Sequence, residues 1–140
     1  MSEEKTYHAN CLCSEVKFTL QGEPFHFVIC HCRNCKQVAG SAFMANAMFK
    51  PAQVKVIEGR DLIKEYADSN TLTGNTISRS FCSKCGSTLF IAPAGGGIII
   101  THPSLIEETV AWVPKKEFHN DQRWPWVKEI TFQPKKKAKL

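Results

Sequence analysis

The 140-residue sequence has no run of about eighteen apolar residues, so no helical membrane span is expected. Its start, Met1-Ser2-Glu3-Glu4-Lys5, is charged and lacks the apolar segment of a secretory signal. A reducing, cytoplasmic setting is the expectation. No internal repeat and no linker divides the chain, and one domain of this length buries a real core. The glycine run Gly95-Gly96-Gly97 lacks the following Lys-Ser/Thr pair of a phosphate loop. No cysteine is scattered. All seven fall in three clusters, and an odd number suits a closed disulfide framework poorly.

What is present reads as short strands. Residues 15–20 alternate polar and apolar, with Val16, Phe18 and Leu20 on one face. A turn at 21–24 leads to a strand over 25–30. Residues 36–39 suit one or two helical turns stopped by Gly40. Strands are expected at 43–49, at 54–59 with Gly59 as its end, at 62–66 and at 76–81, with turns at 68–70 and 73–75. A strand over 88–92, a loop at 93–97 and a buried strand over 98–101 follow. Residues 126–132 are expected to close the domain as an edge strand. This pattern predicts an all-β domain with minor helix over residues 1–133 and a basic tail over 134–140.

The cysteine clusters are Cys11-Leu12-Cys13, Cys30-His31-Cys32-Arg33-Asn34-Cys35 and Cys82-Ser83-Lys84-Cys85-Gly86. Such intervals are what metal thiolate sites need. In an extended strand Cys11 and Cys13 point to one face and Leu12 to the core, with a local bend to bring the sulfurs together. Cys82 and Cys85 have the spacing of a zinc knuckle, and Gly86 permits the positive φ that follows it. Those four thiols make a closed, structural zinc site. Cys30, Cys32 and Cys35 then leave one tetrahedral position open, as a catalytic or ligand-exchanging zinc does. The spacing equally allows a partition in which one of the four joins Cys30, Cys32 and Cys35. Either way the count is four plus three. Seven thiolates and two Zn²⁺ ions would take the formal charge from +5 to +2, which weakens basicity as a sign of nucleic acid binding.

Other residues are read more plainly. His31 lies between ligands and should point away from their metal, in a supporting or surface role. His26 is expected to pack or be exposed; His8, His102 and His119 are taken as structural. Trp112, Trp124 and Trp126 read as core or edge cover. Lys135, Lys136, Lys137 and Lys139 follow Pro134 and form a solvated end, leaving nuclear import open.

The three ordered motifs resemble the glutathione-dependent formaldehyde-activating family, also called the CENP-V/GFA domain, from Cys11 to about Trp126. The resemblance implies an Mss4-like, zinc-stapled β fold, of the type shared with a small chaperone of Rab GTPases. It implies two zinc ions, one on Cys11, Cys13, Cys82 and Cys85 and one on Cys30, Cys32 and Cys35. It implies a carbon–sulfur lyase that joins formaldehyde to glutathione, or reverses that step. On this reading Gly40 and Ser41 help orient the ligand, and Arg33, Lys36 and Arg79 are candidates for its carboxylates. The chain departs from the family pattern at Ala9-Asn10, at Pro103-Ser104-Leu105-Ile106 and at Glu117, with His119 displaced by two. A non-catalytic zinc module for a protein partner is the alternative, since fold does not fix function.

Overall fold

The computed structural model describes residues 4–130 and 132. The lysine tail, the boundary expected after residue 133 and Thr131 lie outside the described residues. The strands are β1 (Thr6–Asn10), β2 (Lys17–Gln21), β3 (His26–Cys30), β4 (Met44–Phe49), β5 (Val54–Glu58), β6 (Ile63–Asp68), β7 (Ile77–Cys82), β8 (Thr88–Pro93), β9 (Ile99–Thr101) and β10 (Lys116–Phe118). One helix, α1 (Arg33–Ala39), follows β3. They form a three-stranded sheet in the order β1-β2-β5 and a seven-stranded sheet in the order β10-β3-β4-β9-β8-β7-β6. All pairings are antiparallel except β10 on β3. The chain is thus mostly β with one short helix, as the strand patterning predicts.

The small sheet packs on one face of the large one. Tyr7, Ala9, Val16, Phe18 and Leu20 meet Phe27, Ala47, Phe49 and Leu89 in a continuous core. The alternation read at Val16, Phe18 and Leu20 holds, and all three are buried. Strand β4 shows how the two faces divide. Ala45, Ala47 and Phe49 join this core, whereas Met44 joins a second cluster with Cys30, Cys35 and Ile91, and Asn46 and Met48 alternate with it. A period of two places alternate residues on opposite faces. The large sheet therefore has one face sealed by the small sheet and one facing the Cys30–Cys35 segment.

Several details differ from the expectation. Cys11 to Ser14 is a turn rather than a strand, closed by the Ser14 N–H donating to the Cys11 carbonyl at 2.9 Å. Leu12 accordingly points to solvent and is 84% exposed. The turn brings the two sulfurs closer than a strand allows. The apolar run at Ile98 to Ile100 is half-buried, not sealed. No strand forms over 126–130, and Trp124 and Trp126 are exposed; Trp112 alone of the three packs in the core, edge-on to Tyr7 and Phe49. Strands β1 and β10 are not among the expected strands: β1 pairs with β2 and buries Tyr7 and Ala9 in alternation, and the three residues of β10 pair with β3. Gly59, with φ +79°, lies so close to β2's approach that a Cβ there would meet the Glu15 carbonyl oxygen at 2.2 Å.

Candidate metal centres and the adjoining cavity

Two turns build the first centre. Cys11 directly follows β1, and Cys82 ends β7, so the sulfurs come from different sheets. The Cys82 turn is closed by Gly86 N–H donating to the Cys82 carbonyl at 2.8 Å, with Gly86 at φ +78°. The Ser87 hydroxyl accepts from the Leu12 N–H at 3.0 Å and lies 3.2 Å from Cys85 Sγ, tying the two turns together. Cys11 Sγ and Cys13 Sγ are 3.4 Å apart, and Cys13 Sγ is 3.9 Å from Cys82 Sγ. All four lie within 4.8 Å of one another. Sulfurs about 2.3 Å from one tetrahedral zinc are about 3.8 Å apart, so the four thiols fit that ion. The Val16 N–H donates to Cys11 Sγ at 3.3 Å, and the Ser87 hydroxyl holds the Cys85 thiol down at about 5. Such donors favour thiolate over thiol.

The second centre forms where β3 hands over to α1. Cys30 is the last residue of β3, Cys32 is the N-cap of α1, and Cys35 is in its first turn. The Cys32 sulfur accepts from the Cys35 N–H at 3.3 Å. A capping residue with a following i+3 donor thus doubles as a ligand pair. The three sulfurs lie within 4.8 Å of one another, with no fourth ligand among the described residues. Cys30 and Cys35 donate to Cys32 and hold its thiol down at about 2. The same contacts push Cys30 and Cys35 up: hydrogen bonding with Cys32 leads at Cys30, and with Cys30 and then Cys32 at Cys35. Hydrogen bonding thus supports one charge on the trio; three thiolates need a cation among them, and a trio of this spacing fits a zinc with one position open.

This trio faces a cavity of about 620 Å³ on the open face of the large sheet. Cys32 and Cys35 line it, with Arg33, His119 and Gln122 at the same side. Its floor follows from sheet register. Arg79 pairs with Ile91, Ile91 with Ile100, and Ile100 with Met48, so these four form one row across β7, β8, β9 and β4. A second cavity, lined by Lys36, Gly40, Ser41, Trp124 and Trp126, shares Arg33 and Gln122 with the first.

The structure places the other expected residues as follows. Gly40 caps α1 with φ +60° and, with Ser41, lines the second cavity rather than the one bearing the thiols. His31 is fully buried, not at the surface; its Nε2 is 2.8 Å from Glu117, which also accepts from Arg123 at 3.1 Å. It is no part of either sulfur cluster. Arg79 is not a solvated charge. It is buried and its Nε donates to Asp68 at 2.8 Å, and that guanidinium holds the Asp68 carboxyl below the usual range. The Lys36 ammonium donates to the Gln122 carbonyl and lies 4.4 Å from the Trp124 ring centre. His102 is buried with Nδ1 2.9 Å from the Ala45 carbonyl, in keeping with a structural role. His119, read as structural, instead lines the thiol-bearing cavity, held there by a left-handed backbone at φ +59°. Asn46 was not singled out; nothing in a polar residue within an apolar strand tells which face it takes until register is known.

The description of the glutathione-dependent formaldehyde-activating enzymes, GFA, matches residues 6–122. The chain belongs to this family. It is 31% identical over 90 residues to the Schizosaccharomyces pombe protein named "Uncharacterized lyase", covering 64% of this chain and 60% of that protein. It is 31% identical over 84 residues to a Halomonas elongata protein named "Putative glutathione-dependent formaldehyde-activating enzyme", covering 59% of this chain and 53% of the relative. The match thus spans little more than half the length of these curated relatives. A crystal structure of a Rhodobacter sphaeroides protein shares the fold, with a TM-score of 0.58 at 16% identity, over 74% of this chain and 90% of that one. Among the described residues of this GFA-family chain, no helix is long and apolar enough to cross a membrane.

Proposed function

We propose that the protein is a zinc-dependent carbon–sulfur lyase acting on an adduct between a small thiol, glutathione being the type, and an aldehyde, formaldehyde being the type. The observation that carries this reading is that one sulfur cluster has four members joining two sheets, whereas the other has three and opens onto a cavity. Cys11, Cys13, Cys82 and Cys85 would hold a structural zinc, and Cys30, Cys32 and Cys35 a second one. A zinc ion on three thiolates supplies a Lewis acid that keeps an incoming thiol ionised at neutral pH.

The chain's own residues divide the remaining work. In breakdown of R–S–CH₂–OH, the carbon–sulfur bond breaks with its electron pair passing to sulfur. The hydroxyl O–H pair closes the carbonyl, and its proton goes to His119, the one imidazole lining the cavity among the described residues. No oxidation or reduction occurs, and formation is the reverse. Arg33, which lines both cavities, would pair with a carboxylate of the thiol. Lys36 and Arg79 are committed to Gln122 and Asp68.

The test is exchange between glutathione plus formaldehyde and their adduct, followed by magnetisation-transfer NMR with zinc-loaded protein. Acceleration in both directions is expected, lost in Cys32→Ser and reduced by about a hundredfold or more in His119→Asn. No rate above background across several thiols and aldehydes would end this reading.

A further inference from the structure

Formaldehyde contributes one carbon and one oxygen to its adduct, and neither needs an apolar wall. The cavity beside Cys32 and Cys35 nevertheless has one. Met48, Ile77, Ile91, Ile98 and Ile100 line it, with Leu72 at its mouth, 61% exposed. The row Ile91, Ile100 and Met48 is fixed by strand register, so it is a built surface and not a chance gap between loops. Among the described residues, no carboxylate lines the cavity to receive the ammonium of a glutathione-like thiol. Two buried polar groups on the same walls have a free valence. Asn46, 5% exposed, has Nδ2 4.0 Å from Cys35 Sγ and no partner for Oδ1. Arg79, 6% exposed, has Nε on Asp68 and no partner for Nη1. Buried polar atoms without partners are uncommon, and here both belong to residues that line the cavity.

We infer that this cavity is the subsite for the carbonyl component, and that the component is an aldehyde with an apolar body rather than formaldehyde alone. The inference rests on the lyase reading above and names its substrate class: the hemithioacetal R–S–CH(R′)–OH, with R′ an alkyl or aryl group. The sulfur meets the Cys30, Cys32 and Cys35 trio, the hydroxyl gives its proton to His119 as in the formaldehyde adduct, and R′ lies along the Ile91–Ile100–Met48 row, past Asn46. The thiol's charged parts are left to the second cavity, reached past Arg33 and Gln122. The bond changes are those given for formaldehyde, with R′ a spectator.

The experiment compares glutathione adducts of formaldehyde, propanal and pentanal on the zinc-loaded protein, and separately titrates propanol and pentanol against isoleucine-methyl-labelled protein by NMR. The expected kcat/KM rises about fourfold per methylene until the cavity is full. Leu72→Ser and Ile98→Ser, both at positions outside strands, should flatten that rise. Pentanol should shift the methyls of Ile77, Ile91, Ile98 and Ile100 at lower concentration than propanol does. Turnover of the formaldehyde adduct with equal or slower turnover of the longer ones overturns the inference and leaves the lyase reading standing. Absence of turnover for every adduct removes the lyase reading. The methyl titration then decides the subsite: chain-length-dependent shifts at those four isoleucines support it, and their absence overturns it.

Discussion

Replacing Cys82 and Cys85 together by serine should cost far more stability than replacing Cys32 and Cys35 together, although each change removes two thiols. The reason is where the chain is tied. The four-thiol centre joins the end of β1 to the end of β7, and Cys13 and Cys82 are 69 residues apart. A cross-link closing a loop of that length removes about 4 kcal/mol of denatured-state entropy. The trio closes only the short segment from Cys30 to Cys35, for which the same relation gives about 2 kcal/mol. With an unfolding entropy of about 2.1 cal/mol/K per residue, a 140-residue chain loses about 14 °C of Tm in the first case and about 7 °C in the second. Cys32→Ser keeps a side-chain oxygen at the N-cap of α1, so the second pair carries little added loss from capping. Calorimetry of both double variants beside metal analysis is the assay. Two zinc ions per chain are expected in the wild type and one in each double variant. Equal Tm losses, or a greater loss for the trio, would refute the assignment of the four-thiol centre as the tie between sheets.

Three further outcomes follow from buried polar groups and backbone. Asp68→Asn leaves the buried Arg79 guanidinium without its counter-charge and should destabilise by about 3 kcal/mol at neutral pH. Because Arg79 holds the folded Asp68 carboxyl below 3.8, the wild type keeps this contribution above that pH and loses it as pH falls through the folded value. Urea titrations should therefore show the gap between wild type and variant closing below about pH 4. Glu117→Ala strips His31 of its side-chain partner and should cost about 2 kcal/mol; hydrogen exchange should report it first at the His31 N–H, which bonds to Phe118 where β10 pairs with β3. Gly59→Ala sets a Cβ against the Glu15 carbonyl at a positive φ and should cost about 2 kcal/mol or more in urea melts, since backbone must move to relieve it.

The parts of the fold legible in the sequence are those governed by local period and by motif. Val16, Phe18 and Leu20 alternate because one sheet face is sealed, and the pattern survives in the sequence. Gly40 announces the end of α1 because its left-handed conformation is nearly reserved for glycine. The seven sulfurs gather as one set of four and one of three, a division that spacing leaves open, and cysteines two and three residues apart need only a turn to meet. The turn at Cys11 is not legible in the same way: an extended strand would point Leu12 inward, whereas bringing two sulfurs to 3.4 Å requires a reversal that turns Leu12 outward. Ile98 to Ile100 reads as buried in sequence because a cavity wall and a core have the same composition.

That last ambiguity is why the metal ligands and the substrate are legible to different degrees. The cysteine sets are drawn together by local spacing, so the seven cysteines mark both candidate centres and the family. The cavity is set by register between strands far apart in sequence. Arg79, Ile91, Ile100 and Met48 come from four strands, and none has a neighbour in sequence that marks it. A change at any one of them reshapes the space beside Cys32 and Cys35 without touching a ligand. On the lyase reading, chains of the same family can therefore keep the same sulfur motifs and hold different carbonyl compounds. It follows that substrate is better argued from the floor of this sheet than from the cysteines, and that Asn46, which is both on that floor and beside Cys35, is the residue at which the two kinds of information meet.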